Sequence, residues 1–262
     1  MPIRIAINGF GRIGRTALNA GWGRPGVSFV AINDLTEPSV LAHLLVHDSV
    51  FHAWPHEVKA TAHALVIDGI EISVSAETEP VELPWAKHRV DVVLECTGRF
   101  TDVKEAQAHI QAGARRVVIS APANGAPTVL MGVNHKGLKK SQTIINNASC
   151  TTNSAAPVAA IMHEAFGIKK AMLTTVHSVT AEQNIVDGLP PKLHPDLRRA
   201  RSALINIVPT STGAAKATTE ALPALVGLFD GIAIRVPTID VSLTDFTFVL
   251  RKNVTVDQVN AV

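Results

Sequence analysis

Gly9-Phe10-Gly11-Arg12-Ile13-Gly14 stands between a short apolar run of strand type, residues 2–8 (PIRIAIN), and a helical pattern that continues through Arg15–Ala20. No other segment narrows the possible folds as far. At such a junction each glycine answers a steric demand. Gly9 permits the tight turn, Gly11 lets the backbone approach a bound pyrophosphate, and Gly14 lets the helix pack closely on the sheet. The helix N-terminus adds unpaired N–H groups and the positive end of its dipole. The spacing alone also occurs in plain turns, so its context matters. A second apolar run, Val27–Asn33 (VSFVAIN), leads to Asp34, twenty residues after Gly14. An acidic residue there accepts hydrogen bonds from an adenosine ribose and repels the extra phosphate of NADP, which favours NAD. The alternative for Asp34 is a helix cap or turn former.

Further apolar runs follow at Val90–Cys96, Val117–Ser120, Val129–Val133 and Thr143–Asn147, all read as strands. Asp102–Ala112 has helical spacing and ends at Gly113, a C-cap residue. Near-continuous apolar strands alternating with helices predict an α/β domain with a doubly wound parallel sheet over residues 1–149. From Cys150 the pattern changes. A helix over Thr151–Ala165 precedes strand-like runs at Ala171–Val176, Gly231–Val236 and Val241–Leu250. No helix separates the last two, so residues 150–262 are expected to form an α+β domain with a mostly antiparallel sheet. Ser178–Arg201, with its prolines and arginines, reads as a long functional loop. Thr255 and Gln258 have capping-box spacing, so a helix should start there.

Composition excludes several function classes. The 262 residues are 47% hydrophobic and 18% charged, with a formal net charge of +2 and no tyrosine. That balance gives no electrostatic case for nucleic acid or an anionic membrane as main partner, and no base-stacking surface. No signal peptide or membrane span is evident, and two cysteines, Cys96 and Cys150, cannot make a disulfide scaffold. A soluble cytoplasmic protein is the expectation. The eleven histidines are scattered; His43 and His47, beside Asp48, read as helix-surface residues, and no metal site is expected.

Ser149-Cys150-Thr151-Thr152-Asn153 lies between an apolar strand and a helix. A thiol at a helix start meets unpaired N–H groups and the positive dipole end, which stabilise thiolate. An isolated cysteine in such a segment is more often a small buried hydrophobe, the reading given to Cys96. His177 closes the run MLTTVH, where it could act as the base of a Cys–His pair or be merely structural. Spacing alone does not bring it to Cys150.

Together, AINGFGRIGR, NNASCTTN, TTVHSVTAEQ, DLRRARSALINIVPTSTGAAKA and RVPTIDVSLTD resemble the glyceraldehyde-3-phosphate dehydrogenase family in order and spacing. CTGRF (96–100), ISAP (119–122) and MGVN (131–134) extend the similarity along the whole chain. The resemblance implies a Rossmann domain, a catalytic α+β domain and a homotetramer in the full-length form. It implies Cys150 as nucleophile and His177 as its base. Gly9, Gly11, Arg12, Ile13, Gly14, Asp34 and Ser120 would contact NAD. Ser149, Thr151, Thr180, Arg199, Thr212, Gly213 and Arg235 would hold the phosphates of D-glyceraldehyde 3-phosphate and of attacking inorganic phosphate. Hydroxyls, a backbone N–H and forked arginines suit two anions.

The family's second cysteine, four residues after the nucleophile, is Ser154 here. The stretch after Asp48 reads SVFHAWPH where a Gly-containing turn is usual, and the loop 188–195 (GLPPKLHP) is long, with Leu189-Pro190 agreeing with an NAD preference. The resemblance also leads one to expect a C-terminally truncated, incomplete catalytic domain that exposes a sheet edge and is weakly active or inactive. Two other readings stand beside the phosphorylating enzyme: an erythrose-4-phosphate dehydrogenase, and a catalytically impaired NAD-binding fragment.

Overall fold

The computed structural model describes residues 1–190 and 196–262; positions 191–195 of the long loop lie outside the described residues. The chain divides into two units, one of residues 1–129 and 138–148, the other of residues 130–137 and 149–262.

The first unit runs β1 (Ile3–Asn8), α1 (Arg12–Gly21), β2 (Val27–Asn33), α2 (Pro38–Val46), β3 (His47–Asp48), β4 (His52–Ala53), β5 (Val58–Ala60), β6 (Ala64–Ile67), β7 (Ile70–Ser75), β8 (Val92–Glu95), α3 (Val103–Gln111), β9 (Arg116–Ile119) and β10 (Ile144–Asn146). Eight strands form one sheet in the order β10-β9-β8-β1-β2-β7-β6-β5. Alternation along β1 shows why helices cover both faces. Ala6 packs with Val93, Val117 and Ala106 of α3, while the next residue, Ile7, packs with Leu18 of α1 and Leu41 of α2. Successive strand residues point to opposite faces, so each face buries its own apolar cluster. This is the doubly wound arrangement expected.

Two local expectations need correction. The sheet is parallel from β10 to β7, but β7-β6-β5 is antiparallel. Asp68-Gly69 joins β6 to β7, with φ of 49° and 82° at the two positions, and positive φ at both central residues is the hairpin turn that matches strand twist. Val129–Val133 is not a strand. Gly132 has φ 82°, residues 131–134 turn, and Leu130 N–H donates to Asn134 Oδ1 at 2.8 Å.

The second unit contains α4 (Cys150–Phe166), β11 (Ile168–His177), β12 (Val208–Ser211), α5 (Ala214–Ala221), β13 (Phe229–Arg235), β14 (Leu243–Leu250) and α6 (Val256–Asn260). Its sheet order is β12-β13-β11-β14. Two of the three pairings are antiparallel, as expected, while β11 and β13 run parallel. Ala155, Ala159 and Phe166 of α4 and Ala214 of α5 bury against Ile168, Leu173 and Phe229. The small residues on α4 and α5 let the helices lie close to the sheet and hold the end of β11 steady. The capping box of α6 forms: Gln258 N–H donates to Thr255 Oγ1 at 3.3 Å, and Thr255 N–H to Gln258 Oε1 at 2.9 Å. Among the described residues no helix is long and apolar enough to cross a membrane.

Candidate active site

In the first unit, the carboxyl ends of β1, β2 and β8 surround a cavity of about 300 Å³ whose lining includes Gly9, Gly11, Asn33, Asp34, Thr97 and Phe100. The three glycines meet the steric demands read from the sequence. Gly9 has φ 88°, and a Cβ there would lie 2.8 Å from Thr97 N; a Cβ on Gly14 would lie 2.2 Å from Gly9 O. A Cβ on Gly11 would meet nothing within 4 Å, so this residue leaves open space at the cavity wall. Gly11 is also the N-cap of α1 and offers no side-chain cap, which leaves the first amides of the helix available to an anion. These features fit a dinucleotide. Asp34 Oδ2 accepts from Phe10 N–H at 2.7 Å and Oδ1 from Thr36 N–H at 3.0 Å. Its carboxylate thus pins the glycine turn to the end of β2 and forms a turn of its own, while still facing the cavity. Arg12, Ile13, Gly14 and Ser120 stand outside the lining. The Arg12 guanidinium pairs with Asp48, Ile13 is exposed, and Ser120 N–H bonds Glu95 O at the end of β9.

In the second unit, Cys150 is the first residue of α4, where Ser149 caps the helix by accepting from Thr152 N–H at 3.1 Å. The preceding residue, Ala148, has φ 55°, a left-handed step that an alanine adopts only at a cost. Cys150 is exposed, and its Sγ lies 3.3 Å from His177 Nε2 at the end of β11. His177 Nδ1 is 2.7 Å from Ser178 O. A carbonyl only accepts, so Nδ1 carries the hydrogen and Nε2 is left to take a proton from the thiol. The hydrogen bond to His177 is the largest cause that lowers the Cys150 pKa; burial opposes it, and Thr151 assists.

Two arginines sit in the same unit, 6% and 9% exposed. Arg235 NH1 donates to Ser178 O (3.2 Å), Thr180 Oγ1 (3.0 Å) and Gln183 Oε1 (3.1 Å). Its Nε is buried without a hydrogen-bond partner. Burial, and then the charge of Arg199, lower the Arg235 pKa. Two desolvated cations close enough to oppose each other favour an anion between or beside them. Arg199 is held by Thr210 Oγ1 at 3.1 Å, Ser211 O at 3.3 Å and Glu182 Oε1 at 3.0 Å. Thr212 Oγ1 accepts from Ala214 N–H at 3.2 Å, and Gly213, the N-cap of α5, makes no side-chain cap. Thr151 is buried beside the thiol.

Sequence reasoning did not single out Ser178, Glu182, Gln183, Thr210 or Ser242. Ser178 is a hub: its carbonyl accepts from His177 and Arg235, and its N–H donates to Ser242 Oγ at 3.1 Å. Val241 has φ 67°, unusual for a β-branched residue, just before that serine. No sequence signal marks a contact across 64 residues. Cys96, by contrast, is held among apolar side chains as expected. Among the described residues no cluster could hold a metal ion.

Residues 3–103 match the family model described as glyceraldehyde 3-phosphate dehydrogenase, NAD binding domain, and residues 149–262 match the corresponding C-terminal domain. The glyceraldehyde-3-phosphate dehydrogenase of Geobacillus stearothermophilus is 51% identical over 263 residues, covering 100% of this chain and 77% of the relative. Those of Bacillus subtilis and Clostridium acetobutylicum are 50% and 49% identical, covering 100% and 98% of this chain and 77% of each relative. With a cysteine–histidine pair, a buried arginine pair and a dinucleotide cavity already in place, these matches mean that the chain belongs to the glyceraldehyde-3-phosphate dehydrogenase family.

Proposed function

We propose that the chain oxidises D-glyceraldehyde 3-phosphate and phosphorylates it to 1,3-bisphosphoglycerate with NAD, as a step of glycolysis or gluconeogenesis. The observation that carries this reading is the 3.3 Å approach of His177 Nε2 to Cys150 Sγ at a helix N-terminus. His177 takes the thiol proton, the thiolate attacks the aldehyde carbon, and the imidazolium returns that proton to the oxygen to give a thiohemiacetal. His177 takes the proton of its hydroxyl, and the carbon gives up hydride and becomes a thioester on Cys150. NAD, when bound, accepts the hydride. Inorganic phosphate then displaces the thiolate, and the acyl group leaves as an acyl phosphate. The Cys150 N–H and the imidazole stabilise the oxyanion.

Arg235 and Thr180 suit one phosphate, and Arg199, Thr212 and the backbone N–H of Gly213 suit the other, with Ser149 and Thr151 near the thiol. Gly9, Gly11, Gly14, Arg12, Ile13, Asp34 and Ser120 are assigned to NAD. Residues 1–149 form the cofactor domain and residues 150–262 the catalytic domain in this reading, within a cytoplasmic homotetramer. The test is NADH formation at 340 nm from D-glyceraldehyde 3-phosphate, with and without inorganic phosphate. Phosphate-dependent turnover is expected. Turnover of erythrose 4-phosphate without phosphate would refute the assignment.

A further inference from the structure

Four neighbouring strands of the first sheet, β8, β1, β2 and β7, end on Glu95, Asn8, Asn33 and Ser75. These residues are register partners: Asn8 with Glu95 and Asn33, and Asn33 with Ser75. Their side chains form a one-way chain of donors. Ser75 Oγ donates to Asn33 Oδ1 (3.0 Å), Asn33 Nδ2 to Asn8 Oδ1 (2.8 Å), and Asn8 Nδ2 to Glu95 Oε2 (2.6 Å). From the other side, Trp85 Nε1 donates to His109 Nδ1 at 3.0 Å, and His109 Nε2 reaches Glu95 Oε2 at 2.9 Å. Thr97 closes on Glu95 Oε1 with its N–H, at 2.8 Å, and with its hydroxyl. Asn8, Asn33 and Thr97 line the dinucleotide cavity, while Glu95 and His109 are 1% and 0% exposed.

The direction of the chain cannot be reversed. Glu77 N–H donates to Asn33 Oδ1, and Asn33 Nδ2 donates to Glu77 O, both at 2.9 Å. That backbone fixes which end of the Asn33 amide faces Asn8, and so obliges Asn8 to present its N–H to Glu95. An indole N–H only donates, so His109 Nδ1 accepts and the hydrogen sits on Nε2, facing Glu95. The Thr97 N–H is backbone and equally fixed. The N–H groups of Asn8, His109 and Thr97 that meet the Glu95 side chain are therefore fixed as donors, and the two carboxyl oxygens accept from all three. A glutamine would have to aim its own N–H₂ at Thr97 N–H or at Asn8 and His109.

We infer that Glu95 is a positioning residue for NAD, resting on the reading of this cavity as the NAD site. Its carboxylate holds Asn8 and Thr97 at the cavity wall. The same strand ends hold the glycine turn, since Gly9 N–H donates to Asn33 O at 2.8 Å and Cys96 N–H to Asn8 O at 2.7 Å. A shift of Thr97 changes the clearance above Gly9, where there is no room for a Cβ.

The experiment is calorimetric titration of NAD into the unsubstituted chain, Glu95→Gln and Thr97→Val, with steady-state kinetics and thermal unfolding of each. Glu95→Gln should bind NAD about tenfold more weakly or worse, with a matching rise in the KM for NAD. Its kcat at saturating NAD, and its KM for the aldehyde, should change by much less. Thr97→Val removes the hydroxyl that donates to Glu95 and accepts from Arg99 N–H at 3.1 Å, and should weaken NAD binding about threefold, whether or not Glu95→Gln folds. Unaltered NAD affinity in a folded Glu95→Gln, or in Thr97→Val, overturns the inference, as does a fall in kcat matching the rise in both KM values. An unsubstituted chain that folds but binds no NAD overturns the reading of the cavity and the inference with it. NAD binding by that chain, undisturbed in the variants, overturns the inference alone.

Discussion

Replacing His177 with Asn tests the centre of the proposed site, because the substitution removes one identifiable cause of thiol acidity and leaves the others. The His177 hydrogen bond is the largest influence lowering the Cys150 pKa, and the second, burial, works against it. Asparagine cannot take the thiol proton. The thiol should then return to its ordinary value of about 8.5 or above, at which roughly 3% is thiolate at pH 7. For a thiol at about 8.5 the loss of alkylation rate at pH 7 is therefore at most about 30-fold. A more basic thiolate is also a better nucleophile, by a Brønsted slope of about 0.4–0.5, which trims that loss. The same slope makes the curves cross: the variant should be slower than wild type near neutrality and equal or faster at alkaline pH. Iodoacetamide rates from pH 5 to 10, followed by loss of titratable thiol, give both curves. Profiles of identical inflection would refute the assignment of His177 as activator. So would a variant slower by the same factor at every pH, which would indicate a blocked thiol.

Arg235→Lys keeps the charge but loses the guanidinium geometry in which NH1 bonds both Thr180 and Gln183. Hydrogen bonds to charged groups contribute about 1.5–3 kcal/mol, so the KM for D-glyceraldehyde 3-phosphate should rise roughly 10- to 150-fold; a change below about threefold would remove Arg235 from the phosphate site. Ser242→Ala takes the acceptor from Ser178 N–H and loosens the carbonyl that orients His177. An unpaired buried N–H costs about 1–3 kcal/mol, so kcat should fall about tenfold, with NAD affinity by calorimetry unchanged; an unaltered kcat would show that the hub does not orient the imidazole.

The features legible in the sequence are those whose cause is local. Gly9, Gly11 and Gly14 announce their roles because each answers a steric demand within a few residues, and the capping box at Thr255 and Gln258 is a contact within one helical turn. The β6–β7 hairpin is equally local in cause: Asp68-Gly69 between two apolar runs is a strong short-range hairpin signal, set within a chain whose other strands follow the parallel pattern. Val129–Val133 misled because apolar content resembles a strand, while Gly132 turns the chain. The site is different in kind. Cys150 and His177 lie 27 residues apart in sequence and meet because β11 runs back from the end of α4, which no periodicity states. The belt of Ser75, Asn33, Asn8 and Glu95 needs the strand register before its members become neighbours. Family resemblance identified the members of the phosphate sites but not Ser178 or Glu182, which hold them.

The two cysteines turn this difference between local and tertiary causes into a measurement. Both are free, Cys150 exposed and Cys96 partly buried. Ionisation separates them further. Burial pushes the Cys96 thiol up to about 11, the nearby Glu95 charge adds to the effect, and a hydrogen bond with Ser120 only partly offsets it. At pH 7 such a thiol is roughly 0.01% thiolate, about 300-fold less than an ordinary one, whereas Cys150 lies on the other side of ordinary. The greater nucleophilicity of the more basic thiolate recovers part of this, about tenfold on the usual slope. Cys150 should still react at least about 20-fold faster. Peptide mass spectrometry after limiting iodoacetamide at pH 7 should find one equivalent of label, on the peptide carrying Cys150, and the preference should narrow as pH rises. Comparable early labelling of both peptides at pH 7 would mean that Cys150 lacks the activation its position at the α4 N-terminus and beside His177 is argued to provide.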